Sequence, residues 1–235
     1  IFDVMTANRD QKVWAVAQGK SHTVNDSNVP APIPVTSNVG GGSKSSNASK
    51  EGSATYLSAE ESVKKTTVAE GYELNVFASE EMFPDLANPV QISFDNKGRL
   101  WVATMPSYPH YKPGDKRPAD KLIILEDTNN DGKADKQTTF ADDLHIPVGF
   151  EIAAEGVYIS QGNNLVLLVD ENGDDKADRK EVLLSGFDDH DTHHAISAFC
   201  ADPSGAFIMC EGVFLHSNVE SAFGPQRATN GGFYR

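Results

Sequence analysis

The chain is poor in several things, and each shortage excludes something. It has two cysteines, Cys200 and Cys210, which form no CxxC, CxxCH or zinc-type spacing. No covalent haem is therefore expected in this chain. Its longest purely aliphatic run, Leu165–Val169, is far short of the roughly 20 residues a membrane helix needs, so no transmembrane segment is expected. Basic residues are few: 20 Lys and Arg stand against 34 Asp and Glu, giving a net charge of -14. A nucleic-acid partner needs a basic footprint to neutralise phosphates, and this balance argues against one. An acidic surface also disfavours anionic lipid. The chain begins at Ile1 with no basic-then-apolar leader, which reads as a processed or excised piece.

What is present is unevenly spread. Residues 1–55 hold 5 basic and 4 acidic residues; subtracting these from the totals leaves 15 and 30 for residues 56–235, a net of -15. Residues 1–20 read as the end of an upstream segment, with a short helix around Gln11–Gln18. Residues 21–55 read as a linker. Pro30, Pro32 and Pro34 favour extended backbone, and Thr36–Ser53 holds six Ser and four Gly, a disordered coil composition or an extended strap. Order resumes at residue 56. Ser58 followed by Glu61 forms a capping box for a helix reaching about Lys65. Tyr72–Phe77 alternates like a strand.

From Asn88 onward a strand–turn–strand unit recurs. Val90–Phe94, the turn Asp95–Gly98 and Arg99–Ala103 form the first. Ala195–Met209 repeats it around Asp202–Gly205, and Gly149–Ser160 is a weaker copy turning near Gly156. Gly98, Gly156 and Gly205 are 58 and 49 residues apart, and a further strand follows each hairpin: Lys121–Leu125, Leu165–Val169 and Gly232–Arg235. Repeats of this size predict an all-β fold, a β-propeller; a β-sandwich with accidental spacing is the alternative. If Ala201 pairs with Ala206 across the last hairpin, Cys200 and Cys210 lie on opposite faces and form no disulfide.

A second feature repeats in phase. Asp127, Asn129, Asp131 and Asp135 occupy positions 1, 3, 5 and 9 of one loop, and Asp170, Asn172, Asp174 and Asp178 those of the next. That spacing can fold oxygen donors around a hard cation, with the carbonyls of Lys133 and Lys176 at position 7. Position 6 is Gly132 in the first loop and Asp175 in the second; position 12 is Thr138 and Glu181. Ca2+ sites and metal-free Asx-rich turns both fit this pattern.

The ordered motifs Leu57–Ser62, Gly71–Ser79, Phe94–Ala103, Leu125–Asp135, Phe140–Leu144, His193–Ser197, Phe223–Arg227 and Asn230–Arg235 carry a resemblance over about residues 57–235. The chain resembles the N-terminal propeller of PVC-type haem-binding proteins, often labelled membrane-bound dehydrogenases. That implies a periplasmic, secreted or cell-surface protein and a six-bladed propeller similar to soluble quinoprotein glucose and sorbosone dehydrogenases. It implies a cytochrome c domain further along. Asn88–Arg235 is enough chain for about three blades, so the remainder of the propeller, or another chain, is expected to complete it.

The same resemblance points to chemistry. Asp188–His194 is the densest polar cluster. His194 stands nine residues before Pro203 of a turn, the spacing of the histidine base in the glucose dehydrogenase group. His194 would then take a hydroxyl proton, with Asp191 orienting an imidazole and His193 beside it. The Gly-Arg that follows that histidine in quinone-binding relatives is Ile196–Ser197 here, which departs from the pattern for pyrroloquinoline quinone. His145, His216 and Tyr108 are further polar candidates with structural roles as the alternative, and Trp101 fits a buried strand position. Two functions follow. One is a dehydrogenase domain oxidising a sugar or alcohol and passing electrons to a cytochrome part. The other is a calcium-stabilised scaffold binding carbohydrate or protein.

Overall fold

The computed structural model describes residues 1–31, 57–109 and 119–235. Most of the expected linker, Pro32–Ser53 included, lies outside the described residues. The chain divides into two compact units, 1–58 and 59–235.

The first unit contains helix α1, Phe2–Ala17. It begins nine residues before the expected start at Gln11, because the stretch holds no Gly or Pro to stop it. Gly19, at φ 71°, ends it. The helix is pinned by polar contacts. Asn8 is buried and donates to Asp26 Oδ1 at 3.0 Å and Asn28 Oδ1 at 2.8 Å.

The second unit opens with helix α2, Ala59–Lys65, as the capping box predicts. A 3-10 turn follows at Pro84–Leu86. Tyr72–Phe77 is not a strand, contrary to its alternation. It has no ladder partner among the described residues; Phe77 accepts a hydrogen bond from the Ala134 amide at 2.8 Å and joins the cluster around Val102, Ile123 and Leu125.

Two complete four-stranded antiparallel meanders come next. Strands β1 (Pro89–Phe94), β2 (Leu100–Thr104), β3 (Asp120–Glu126) and β4 (Lys136–Leu144) form sheet 1 in sequence order. Strands β5 (Phe150–Ala153), β6 (Gly156–Gln161), β7 (Asn164–Val169) and β8 (Arg179–Ser185) form sheet 2 in the same order. Sheet 3 is three-stranded: β9 (Ser197–Ala201) pairs with β10 (Phe207–Glu211), and β10 with β13 (Gly232–Tyr234). A short ribbon, β11 (Asn218–Val219) and β12 (Gln226–Arg227), fills the connection before β13.

The middle strands are apolar on both pleat faces because both faces are covered. Leu122, Ile123, Ile124 and Leu125 are completely buried. Trp101, Ile124 and Phe140 of sheet 1 pack on Phe150, Ile159 and Val166 of sheet 2. Leu165 of sheet 2 packs on Phe199 and Met209 of sheet 3 and on Phe187 and Ile196 of the connection before it. Each such side chain contributes about 1.5–3 kcal/mol of burial. The sheets therefore stack face to face with their first strands together. Gln91 of β1 exchanges two hydrogen bonds with the Phe150 backbone at 2.8 and 2.9 Å. Gly149 lies so close to β9 that a Cβ would fall 2.7 Å from Ser197 Cα.

The two hairpin turns have the same construction. Asp95 Oδ1 accepts the amides of Lys97 and Arg99, and Asp202 Oδ1 those of Ser204 and Ala206. Gly98 and Gly205 take φ 78° and 85°, which favours glycine. The register after the second turn differs from expectation by one: Ala201 pairs with Phe207, and Cys200 with Ile208. Cys200 and Cys210 consequently share one face, with an irregularity at Ala198 between them, and both thiols are free.

Candidate functional site

Antiparallel meanders sort their connections to two ends. One end of each sheet carries the hairpin turns and the aspartate loops. The other carries residues 105–109, 145–149, 186–196 and 212–231. Every histidine of the second unit that is described lies at that second end: His145, His190, His193, His194 and His216.

The segment 186–196 is held down by buried Phe187, Thr192, Ala195 and Ile196, which leaves the polar residues between them turned outward. Asp188 fixes its first half. Its amide donates to Ser217 Oγ, and its carboxylate accepts from the His216 amide at 2.8 Å and from the His190 ring. Ser217 in turn donates to the buried Glu211. Burial pushes the Asp188 carboxyl up, but the His216 and His190 hydrogen bonds outweigh it and the net shift is downward.

Asp191 fixes the second half. Its Oδ1 lies 3.2 Å from His193 Nδ1, and its Oδ2 lies 3.1 Å from His194 Nδ1, the latter outside hydrogen-bonding alignment. One carboxylate thus serves two imidazoles. Desolvation raises the Asp191 pKa, while the contacts from His194 and His193 lower it further, so the carboxylate is held in its charged form.

The two rings point to different surroundings. His193 Nε2 contacts the Tyr108 hydroxyl, with the two rings edge to face at 5.0 Å. This pair lines a cavity of about 470 Å³ bounded by Val90, Gln91, Val148 and Ser197, where the first strands of the three sheets meet. His194 turns instead toward Gly212 and Phe214. Its ring lies 5.8 Å from Phe214, and Nε2 has no hydrogen-bond partner among the described residues. Gly212 is required for space rather than conformation. A Cβ there would sit 2.3 Å from His194 Cδ2, and the Gly212 amide donates to the His194 carbonyl at 2.8 Å. Neighbouring histidines thus face opposite ways, and His193, not His194, borders the cavity.

The other candidates are placed as follows. His145 Nδ1 lies 3.9 Å from the fully buried Asp120 carboxylate, which also accepts from the Ser107 and Ile146 amides and the Ser107 hydroxyl. His216 contributes its backbone to Asp188. Trp101 is buried and donates to Asp95 at 3.0 Å. Gly212, Phe214, Glu211 and Asp120 were not legible as site residues, since none belongs to a motif of spacing.

The aspartate loops occupy the opposite end. In the first, Asp127 Oδ2 accepts the Gly132 amide at 2.8 Å, Asn129 the Asp131 amide, and Asp131 the Lys133 amide. In the second, Asp170 Oδ2 accepts the Asp175 amide at 2.9 Å, Asn172 the Asp174 amide, and Asp174 the Lys176 amide. Asp135 and Asp178 close the loops on the amides of Thr128 and Glu171. Position 4 is left-handed in both loops, Asn130 at φ 60° and Gly173 at 78°; so is position 6, Gly132 at 84° and Asp175 at 63°. Asp175 tolerates that backbone while its carboxylate binds Arg99 of sheet 1 at 2.7 Å. Glu181 lies on β8, opposite Leu167, with its carboxylate on Arg179. Among the described residues no three His, Cys, Asp or Glu side chains are grouped tightly enough to hold a metal by themselves. A cation at these loops would need the Asn129 and Asn172 oxygens and the Lys133 and Lys176 carbonyls as well.

Pyrroloquinoline quinone carries three carboxylates, and among the described residues no Arg or Lys lines this cavity.

Residues 58–235 match the family described as Domain of unknown function (DUF7133), and the chain belongs to that family. The comparison with curated proteins returned no match. Among solved structures, the chain is similar to the X-ray structure of a protein provisionally assigned as a gluconolactonase, with 16% identity, a TM-score of 0.36, and 60% of this chain covered. The match spans 47% of that protein. No helix among the described residues is long and apolar enough to cross a membrane.

Proposed function

We propose that the second unit is the substrate-handling part of an extracytoplasmic oxidoreductase acting on a sugar or alcohol hydroxyl, built as part of a six-bladed propeller. One observation carries this reading: the Asp191 carboxylate lies 3.1 Å from His194 Nδ1, and Nε2 has no hydrogen-bond partner among the described residues. An imidazole so oriented accepts a proton from a hydroxyl as the adjacent carbon is oxidised. Gly212 leaves the room that keeps the ring in place. The hydride leaving the carbinol carbon needs a two-electron acceptor outside these residues, a quinone-class group, which would pass its electrons one at a time to the cytochrome c domain that the resemblance implies. The stacked meanders with convergent first strands support the propeller, and the remaining sheets would come from elsewhere in the protein or from another chain. The resemblance likewise carries the periplasmic, secreted or cell-surface location.

The test is dye reduction by the complete protein with a panel of sugars and alcohols, with and without added quinone and calcium. Expected is turnover that falls about 10²–10⁴-fold in His194→Asn, with folding unchanged. No reduction with any substrate sinks the reading.

A second reading has its own observation. The matched left-handed positions in both aspartate loops give them one backbone course, and their carboxylates keep lone pairs for a hard cation. On this reading calcium stiffens a scaffold that holds carbohydrate or protein. Calcium-dependent thermal stabilisation without turnover would favour it.

A further inference from the structure

The connection after β10 is anchored on both sides of an exposed aromatic. Gly212 is tied to the His194 carbonyl, and Leu215 is fully buried, with its carbonyl accepting the Asn230 amide at 2.8 Å. Between them Phe214 stands 57% exposed. Its φ is 77°, a left-handed conformation that a residue of this size rarely adopts. Two unfavourable features therefore fall on one residue: backbone strain and an uncovered apolar ring. Strain of this kind persists where the surrounding structure imposes it, and it clusters at functional sites. The ring so displayed is in edge contact with His194 at 5.8 Å.

We propose that Phe214 is a stacking platform that selects a cyclic sugar for this site. A pyranose ring has C–H bonds on one face and hydroxyls around its rim. The C–H face suits the negative face of an aromatic ring, and the rim hydroxyls suit His194 Nε2. A linear polyol offers the hydroxyls without a rigid flat face, and a simple alcohol offers neither. The inference rests on His194 being the group that faces substrate, but it concerns binding, so it is read without turnover.

The experiment is calorimetric titration of the complete protein with methyl glucopyranoside and methyl galactopyranoside, with sorbitol as the linear control. Expected is pyranoside binding at least about tenfold tighter than sorbitol, weakened about tenfold in Phe214→Ala and kept within about twofold in Phe214→Tyr. Phe214→Gly should also lose affinity while raising the unfolding temperature, because glycine adopts this φ without strain. That variant separates stacking from damage to the fold. Equal affinity for sorbitol and pyranosides, unchanged affinity in Phe214→Ala, or no pyranoside binding overturns the proposal. Pyranoside binding through Phe214 without dye reduction leaves it standing and sinks the oxidoreductase reading instead.

Discussion

The two ends of the sheets solve different problems with different side chains. At the hairpin end, Asp95, Asp127, Asp170 and Asp202 each commit at least one carboxylate oxygen to backbone amides of their own loops. Those bonds are local, so the loops shape themselves. At the histidine end, Asp191 and Asp188 spend theirs on imidazoles and on the distant His216 amide, and Gly212 reaches back from another strand to hold His194. That arrangement exists only after three connections meet. The comparison teaches that bonds within one loop need only that loop, while the histidine cluster needs loops of several sheets to converge, and it is there that we place the proposed chemistry.

The largest expected effect tests the histidine end. Asp191→Asn removes the charge between the two imidazoles and should cut turnover by about 10²-fold or more, with a changed pH–rate profile and an unmoved unfolding midpoint. A lowered midpoint with an unmoved pH profile would place Asp191 among the merely structural aspartates. Next is Arg99→Ala. It strands Asp95 and Asp175, both of which the guanidinium bridges at 2.7 Å. With Arg99 and Asp95 mostly buried, a loss of about 2–4 kcal/mol in denaturant unfolding is expected. A loss under about 0.5 kcal/mol would reduce the bridge to a surface pair.

Acid should also separate the ends. Arg99 beside Asp175 holds that carboxyl below its ordinary value. For Asp95, burial raises the pKa, and the bonds from Trp101 and Arg99 more than reverse it. Depressed carboxylates stabilise fully above their unfolded pKa, about 4, and that stability is lost as pH falls through the folded values. The unfolding temperature should stay level near neutrality and drop below about pH 4, less steeply in Asp175→Asn. The opposite slope would contradict the assignment. The smallest effect is expected of Asp175→Gly, where relief of strain, about 1 kcal/mol, partly offsets the lost bond to Arg99. A stability change above about 2 kcal/mol would show the two do not offset.

Much of the fold was readable because it repeats. The hairpins at Asp95 and Asp202 and the third strands of the sheets announce themselves by turn chemistry and apolar runs. Strands β4 and β8 did not. Lys136–Leu144 is mostly polar and only partly buried, and Arg179–Ser185 is largely exposed with its apolar residues in one run, so periodicity carries little signal in these outer strands. Tyr72–Phe77 has the alternation without a ladder among the described residues, its contacts with sheet 1 being made through single hydrogen bonds and the Phe77 side chain. The register after Asp202 slipped by one because the loop closes through Asp202–Ala206 rather than through a tighter turn.

At the site, the cluster Asp188–His194 was visible as composition, and the pairing of Asp191 with imidazole followed from adjacency. That His193 takes Tyr108 and the cavity, while His194 takes Gly212 and Phe214, was not visible. Tyr108 is 85 residues from His193 in sequence, and their contact depends on how the connection after β2 meets the connection before β9.

The sequence by itself determined the local pieces: the turns, the aspartate loops, the buried middle strands and the absence of a haem motif. Each follows from residues within hydrogen-bonding reach of one another along the chain. Tertiary structure alone decided which imidazole keeps an unpartnered nitrogen, which glycine makes room for it and which aromatic stands beside it. Those outcomes depend on the packing of loops that share an end of the stack, and the spacing of residues along a chain does not encode such long-range contacts.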